Sequence, residues 1–433
     1  MPIAAIIVSS MPKTHTVLLG KTLRRLSRLR GGGSALPGLV VERLDPTFLA
    51  DALGQLPHGV VLISGTNGKT TTTKMITGLL EACGLRVFTN RTGSNFTRGV
   101  VSALVESMDR RGHLPFDIAV LELDEAHAVH FVRQVQPRIS VFLNVARDQL
   151  DRFGEIDQTA KLLQKVAAQT TGALILNRDD PLVCCLADGT PNNVTVDYFG
   201  VASHLKDLFP SDDALYGGTA KAAKVPSASV LLEAFDDQKV TFAIAKEQVT
   251  AHLKIGGFYN FVNAAAALAA VRVACPEVNS DALLEALARI EPAFGRGERI
   301  EYGGNILEIV LVKNPSGFRL ALAAAPKNDA AVMIAINDNY ADGRDMSWLW
   351  DVDFTSLQAG GVAMVSGIRA YDMALRLQYD EVQMADIEPD LASALREFLQ
   401  KNIGHPLRIY CTYTAMLRLR GLAEKQLKIG RAL

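Results

Sequence analysis

The run SGTNGKTTTT, Ser64 to Thr73, joins an apolar stretch, VVLI, to a helical pattern, KMITGLLEACG. Strand, glycine-bearing loop and helix in that order make a cradle for phosphate. The glycines permit the turns that aim backbone N–H groups at anionic oxygens, and the helix begins where those oxygens would sit. Gly65 and Gly68 supply the turns, Lys69 is long enough to reach β- and γ-phosphates, and the Thr70 hydroxyl suits Mg²⁺. Gly65, Thr66, Asn67, Gly68, Lys69, Thr70 and Thr71 are therefore the expected nucleotide contacts. The spacing is GxxGKT rather than the usual GxxxxGKT, so the strand before and the helix after carry the assignment together with the Lys-Thr pair.

Phosphoryl chemistry also needs an acidic group at the end of a neighbouring strand, to hold a metal or orient the attacking group. Glu122, at the end of the apolar run in IAVLELDE, has that place and is expected to share Mg²⁺ with Thr70. Asp124 and Glu125 follow directly. They read either as further site carboxylates or as the acidic first turn of a helix, which the helix dipole favours. The next apolar run ends in NVARDQLDRFGEID, where Asn144, Asp148 and Asp151 fall on the carboxyl edge of the sheet, the edge at which open α/β sheets bind ligands. A turn or N-cap fits each of these three as well as a catalytic role does.

Such residues need a parallel sheet beneath them, and the chain has the rhythm of one. VVLIS, IAVLEL, ISVFLNV and ALILN alternate with helical stretches from Val60 onward. Residues 196 to 250 differ, mixing polar turns with alternating segments such as VTFAIA, and are expected to form an antiparallel insertion before an Ala-rich helix from Asn263 to Val273. FGRGE, Phe294 to Glu298, reads as a hinge, after which ILEIVLV, AVMIAI, GVAMVSG and LRIYCTY restart the βα pattern. The expected fold class is α/β: a central P-loop ATPase domain with a parallel sheet, residues 55–297, plus a smaller C-terminal Rossmann-like domain, residues 298–433. Residues 1–54 form an N-terminal segment. In it KTLRRLSRLR, Lys21 to Arg30, reads as a short basic amphipathic helix, open either to packing on the next domain by its leucines or to anionic lipid.

Composition excludes several classes. Lys+Arg 45 against Asp+Glu 46 leaves a formal charge of -1, so no global basic field holds nucleic acid. No apolar run approaches the roughly 18 residues of a membrane span. PIAAIIVSS is too short to read as a secretory signal, and the chain is expected to be cytoplasmic. Cys83, Cys184, Cys185, Cys275 and Cys411 contain no CxxC pair and read as reduced thiols.

In chain order, GTNGKT, the Glu after the next strand, LNxxxDxLDxxG at Leu143 to Gly154, LNRDDP at Leu176 to Pro181, GFYNFVNAAAA at Gly257 to Ala267 and FGR at Phe294 to Arg296 resemble the Mur ligase family. The resemblance covers the chain from about residue 55 to its end. It implies a ligase that uses ATP and Mg²⁺ to phosphorylate a carboxylate and then lets an amine attack the acyl phosphate. It also implies nucleotide contacts at Asn263 and Arg296, for which an N-cap and a surface salt bridge are the plain alternatives. The hinge position of Arg296 lets closure of the C-terminal domain complete the site.

The departures narrow this. Only 63 residues precede Ser64, too few for the nucleotide-sugar domain of the family members that act on UDP-linked precursors. Gln149 stands where those enzymes often have His, VKNPSGF (Val312 to Phe318) replaces a DYAHTP-like turn, and NDNYADGRDMSWLWDVDF (Asn337 to Phe354) follows. With TNRTGSNFTRG, Thr89 to Gly99, these features are similar to the branch of the family that amidates lipid II. That branch implies the α-carboxylate of D-glutamate in the stem peptide as substrate, at the inner face of the cytoplasmic membrane, and ammonia from a GatD-type glutaminase subunit in a heterodimer. The five cysteines sit in contexts such as LLEACGL that read as buried, so no glutaminase nucleophile is visible in this chain. The resemblance further implies that Asp345, in DGRD, orients the catalytic His of the partner, a role triad logic allows; capping a helix that begins at Met346 is its alternative. Many relatives carry a four-cysteine zinc ribbon; with no cysteine between Cys185 and Cys275, the insertion here is expected to be zinc-free. Two rivals stay open: a stand-alone amino acid ligase of the folylpolyglutamate type, separated by its independence of a glutaminase, and a nucleotide-binding scaffold without turnover, which the intact Lys69, Thr70 and Glu122 oppose.

Overall fold

Val61, Leu62 and Ile63 form a fully buried strand, each side chain contributing roughly 1.5–3 kcal/mol of burial. Alternation sends Val61 and Ile63 into the core on one face of a sheet and Val60 and Leu62 into the core on the other. The computed structural model to which this strand belongs describes residues 12–29, 35–90, 97–147, 156–209, 225–236, 238–245, 247–291, 296–302, 305–325 and 330–427.

Helices α1 (Thr14–Leu29), α2 (Ala35–Leu44) and α3 (Phe48–Leu53) come first. Then follow β1 (Val60–Ser64), α4 (Lys69–Ala82), β2 (Val87–Thr89), α5 (Thr97–Ser107), β3 (Ile118–Glu122), α6 (Glu125–Val132), β4 (Ile139–Phe142), α7 (Ile156–Ala167), β5 (Ala173–Asn177) and the short α8 (Pro181–Cys184). β6 (Thr195–Val201), β7 (Val230–Asp236), β8 (Lys239–Ile244) and β9 (Glu247–His252) precede α9 (Phe258–Ala274) and α10 (Ser280–Arg289). The last part runs β10 (Arg296–Tyr302), β11 (Asn305–Leu311), α11 (Pro315–Ala323), β12 (Ala331–Ala335), β13 (Val362–Ser366), α12 (Ala370–Tyr379), β14 (Met384–Glu388), α13 (Leu391–Lys401), β15 (Leu407–Cys411) and α14 (Tyr413–Leu427).

Two sheets result, ordered β2-β3-β1-β4-β5-β6-β7-β8-β9 and β10-β11-β15-β12-β13-β14. In the first, β1 lies between β3 and β4 and parallel to both, so the strand order reverses direction at β1 and opens a crevice at its carboxyl end. The α/β class read from the sequence is the class observed.

Three expectations change. The segment expected as an antiparallel insertion extends the first sheet: β6 pairs parallel with β5, β7 parallel with β6, and only β7-β8-β9 is antiparallel. The open edge of β5 accounts for this, because its backbone groups need a ladder partner, while the alternation seen in VTFAIA does belong to β8, buried at every second residue. The Ala-rich helix begins at Phe258, five residues before Asn263, because Gly257, at φ 91°, turns the chain into it. Ala264 to Ala270 are all essentially buried, since small side chains let this helix lie close against the sheet and α4. The basic N-terminal helix starts at Thr14 rather than Lys21. Its Lys21 donates to Met108 O, and Arg24 donates to Ser102 O and pairs with Glu106, so these two cations face α5.

Candidate functional site

The loop after β1 is strained by design of its glycines. Gly65 lies at φ 130° and Gly68 at φ 90°, both in the region that favours glycine. A Cβ on Gly68 would collide with Asn263 Oδ1, and one on Gly65 would come within 2.9 Å of Asn144 O. The segment after β4 braces the loop: Asn67 N donates to Asn144 Oδ1 at 2.8 Å, and Asn144 Nδ2 donates to Asn67 O at 3.0 Å. Thr66 N donates to Asn144 O, and Thr66 Oγ1 exchanges hydrogen bonds with the backbone of Ala146. Asn144 is thus a loop brace. Asp148 and Asp151, and with them Gln149, lie outside the described residues.

Lys69 opens α4 and is buried, 6% exposed. Its ammonium donates to Gly65 O at 2.6 Å and stands 3.1 Å from Asp124 Oδ1 and 4.0 Å from Glu125 Oε2. Asp124 occupies the N-cap position of α6, yet its side chain makes no capping hydrogen bond; it serves Lys69 instead. Burial works against ionising Asp124, but the charges of Lys69 and Lys313, with a hydrogen bond from Lys69, outweigh it and hold this carboxyl below its ordinary value. The two carboxylates read as open between helix turn and site are therefore the counter-ions of the loop lysine.

Glu122 ends β3 at 3% exposure, and its Oε2 is buried with no hydrogen-bond partner among the described residues. Asn90 brackets its backbone, donating to Glu122 O at 3.0 Å and accepting from Glu122 N at 3.2 Å. A buried carboxylate oxygen without a partner is costly unless something binds it. A hard carboxylate oxygen of this kind suits Mg²⁺, which keeps most of its own waters. No cluster of three or more His, Cys, Asp or Glu side chains suited to a metal occurs among the described residues.

A cleft of about 190 Å³, open to solvent, lies in front of the loop. Asn67, Gly68 and Thr71 line it, with Asn263 of α9, Lys313 of the loop after β11 and Ser316 in the first turn of α11. Asn263 sits within α9, its Nδ2 donating to Asn260 Oδ1 at 3.3 Å, which removes the N-cap alternative. Asn314 is fully buried and caps α11 by accepting from Gly317 N, while its amide pairs with that of Asn67. Arg296 opens β10 opposite Val310, and its side chain lies outside what is described, as do Phe294 and Gly295. Asp345 accepts from Ser347 N at 2.9 Å at the start of a 3₁₀ turn, Ser347–Asp351, far along the chain from the loop.

Lys313 and Asn314 were not picked out by role in the sequence. The signal for Asn314 is Asn before Pro, an N-cap followed by Pro at the first helical position. Lys313 has no local signal, because what places it is the meeting of the loop after β11 with the phosphate loop, 247 residues earlier at the Asn67–Asn314 pair.

Among the described residues no helix is long and apolar enough to cross a membrane. Residues 63–271 match the family described as Mur ligase middle domain, and residues 311–416 match MurT ligase C-terminal. The lipid II isoglutaminyl synthase (glutamine-hydrolyzing) subunit MurT of Staphylococcus aureus strain COL is 30% identical over 417 residues, 89% of this chain and 92% of that protein. The subunit of the same name from Streptococcus pneumoniae R6 is 30% identical over 441 residues, 93% and 95% of the two chains. Of solved structures, MurF ligase from Thermotoga maritima in complex with ADP superposes with a TM-score of 0.67 at 16% identity, covering 89% of this chain and 84% of that one. E. coli FolC in complex with DHPP and ADP gives 0.61 at 16% identity, covering 88% and 92%, and at such identities the likeness concerns the fold. With the middle-domain and C-terminal families both matched and relatives at 30% identity aligned over about nine-tenths of the chain, this protein belongs to the MurT family of Mur ligase-type, ATP-dependent enzymes.

Proposed function

We propose that this chain is the ligase subunit of a glutamine-dependent lipid II amidotransferase, converting the α-carboxylate of D-glutamate in the stem peptide to the carboxamide. The observation that carries the reading is the pairing of the buried Lys69, at the head of the phosphate-loop helix, with Asp124, in a chain 30% identical to two subunits named for that activity.

The loop amides and Lys69 bind the triphosphate of ATP, and Asp124 and Glu125 keep the Lys69 ammonium charged and aimed while the site is exchanging nucleotide. Thr70 and Glu122 hold Mg²⁺, which when bound supplies positive charge to the phosphate oxygens. A carboxylate oxygen of the substrate forms a bond to the γ-phosphorus as the bond to the β-phosphate oxygen breaks, releasing ADP. Ammonia then attacks the acyl carbon, phosphate leaves, and the surplus proton passes to water. Asn263 and Arg296 are proposed nucleotide contacts. Asp345 serves the active site of a partner glutaminase, the source of ammonia, and the work is done at the cytoplasmic face of the membrane where lipid II is exposed.

Incubating the chain with ATP, Mg²⁺, lipid II and ammonium, with and without a co-purified glutaminase and glutamine, tests this by the mass of the muropeptide. The expected product is one unit lighter, with ADP released in step. Transfer of an amino acid instead of ammonia would replace this reading by that of a stand-alone ligase.

A further inference from the structure

A buried guanidinium sits beside the second sheet, outside the residues that line the cleft. Arg376 of α12 is 6% exposed. Its Nε donates to Leu349 O at 3.2 Å and one terminal nitrogen donates to Val352 O at 2.5 Å, while the other pairs with Asp380 at 2.5 Å. Asp380 in turn accepts from Phe354 N at 2.8 Å. The guanidinium also lies 5.4 Å from the ring centres of Trp350 and Phe354 and 5.8 Å from that of Tyr379, within cation–π range. One ion pair therefore holds the segment from Leu349 to Phe354 by three backbone groups and two rings.

That segment continues the 3₁₀ turn whose first residue, Ser347, donates its N–H to Asp345, and Trp348 and Leu349 anchor it in the core. Asp351 fastens its other side, 3.6 Å from Arg147 after β4 and accepting from Arg319 at 3.2 Å. Burying a charge for mere stability is a poor bargain when an apolar side chain of like size would serve. A planar fork that reaches two carbonyls and one carboxylate at once is what this position needs, and lysine cannot supply it.

We propose that Arg376 is the positioning residue for Asp345, fixing the 345–354 segment so that this carboxylate is presented to the glutaminase. The inference rests on the reading that Asp345 serves the partner. It assigns Arg376 no contact with ATP, lipid II or ammonia.

Arg376→Met and Arg376→Lys test it, assayed with glutaminase in saturating excess so that weakened docking does not dominate. With glutamine as nitrogen source the turnover number is expected to fall on the order of 10- to 100-fold in both, while with ammonium it stays within about twofold, as for a misplaced catalytic group. If the Met variant does not fold, the Lys variant decides, since it keeps a cation beside Asp380. A parallel fall on both nitrogen sources would make Arg376 a general stabiliser, and an unchanged ratio in a folded variant would also overturn the proposal. Failure of the underlying reading looks different: Asp345→Asn would then leave the glutamine route intact, whatever Arg376 does.

Discussion

Asn314 Nδ2 donates to Asn67 Oδ1 at 3.0 Å, and Asn67 Nδ2 returns a bond to Asn314 Oδ1 at 3.4 Å, so one amide pair ties the apex of the phosphate loop to the first turn of α11. The two residues are 247 positions apart, in loops that follow strands of different sheets. Because Asn314 also caps α11, the neighbouring Lys313 is held where its charge reaches Asp124.

Breaking this pair is expected to loosen nucleotide binding without unfolding either sheet. Asn314→Ser keeps a capping oxygen but cannot reach Asn67, and Asn67→Ala removes the other half. Each is expected to raise the KM for ATP by roughly two- to tenfold, the worth of one or two net hydrogen bonds. The double variant is expected to be little worse than either single one, as residues sharing an interaction are not additive. Fully additive effects in the cycle would show that the pair does not act as a unit.

Lys69→Ala is expected to lower ATP-dependent turnover by at least about 10²-fold, since a preorganised cation at the transferring phosphoryl group is lost. The folded state is expected to persist but melt earlier, because Asp124 and Glu125 lose the cation between them. Near-normal turnover in this variant would remove the mechanism.

The acid limb of stability is expected to depend on Asp124. Its carboxyl is held below its unfolded value of about 3.9, so the stabilisation is fully present above that pH and is lost as pH falls through the folded value. Thermal melts of the parent chain are expected to drop across that acid window, and Asp124→Asn to drop less steeply there. Parallel melting curves of the two proteins from neutral pH down to about pH 3 would assign the shift no weight.

Glu122→Gln is expected to raise the Mg²⁺ concentration needed for half-maximal activity while leaving the melting temperature nearly unchanged, because its buried Oε2 has no hydrogen bond among the described residues to lose. Titrating activity against Mg²⁺ alongside a melt separates the two effects. Elemental analysis of the same protein is expected to find no stoichiometric zinc; one tightly held zinc per chain would show that the cysteines were misread.

Asp345→Asn separates a charge role from a cap. An asparagine side-chain oxygen still accepts from Ser347 N, so the 3₁₀ turn is kept. Glutamine-dependent amidation is nevertheless expected to collapse, since an amide cannot stabilise the imidazolium of the partner, and ammonium is expected to bypass the defect. Equal loss on both nitrogen sources would move Asp345 into the ligase site.

What local sequence determined here is whatever depends on neighbours in the chain. The order strand, glycine loop, helix around Gly65 to Thr71 sets its own backbone geometry, and the repetition of buried strands with crossover helices sets the α/β class. Glu122 was legible as the end of a strand, because the end of a strand is a local event. Tertiary structure decided the rest. Whether Asp124 caps α6 or pairs with Lys69 depends on β3 lying beside β1, a ladder between residues about sixty positions apart. The start of α9 at Phe258 was missed because periodicity weakens where Ala, Asn and aromatic residues are all buried together. The edge of β5 turned an expected insertion into an extension of the sheet, since an unpaired strand edge recruits what the chain next provides. Lys313 and Arg376 carry no motif of their own, and Asn314 carries only a local Asn-Pro cap signal that says nothing of Asn67. The partners of Lys313 and Asn314 lie beside the first sheet and those of Arg376 beside the second, and the low dielectric around such buried groups is what turns an amide pair or a buried guanidinium into a determinant of geometry.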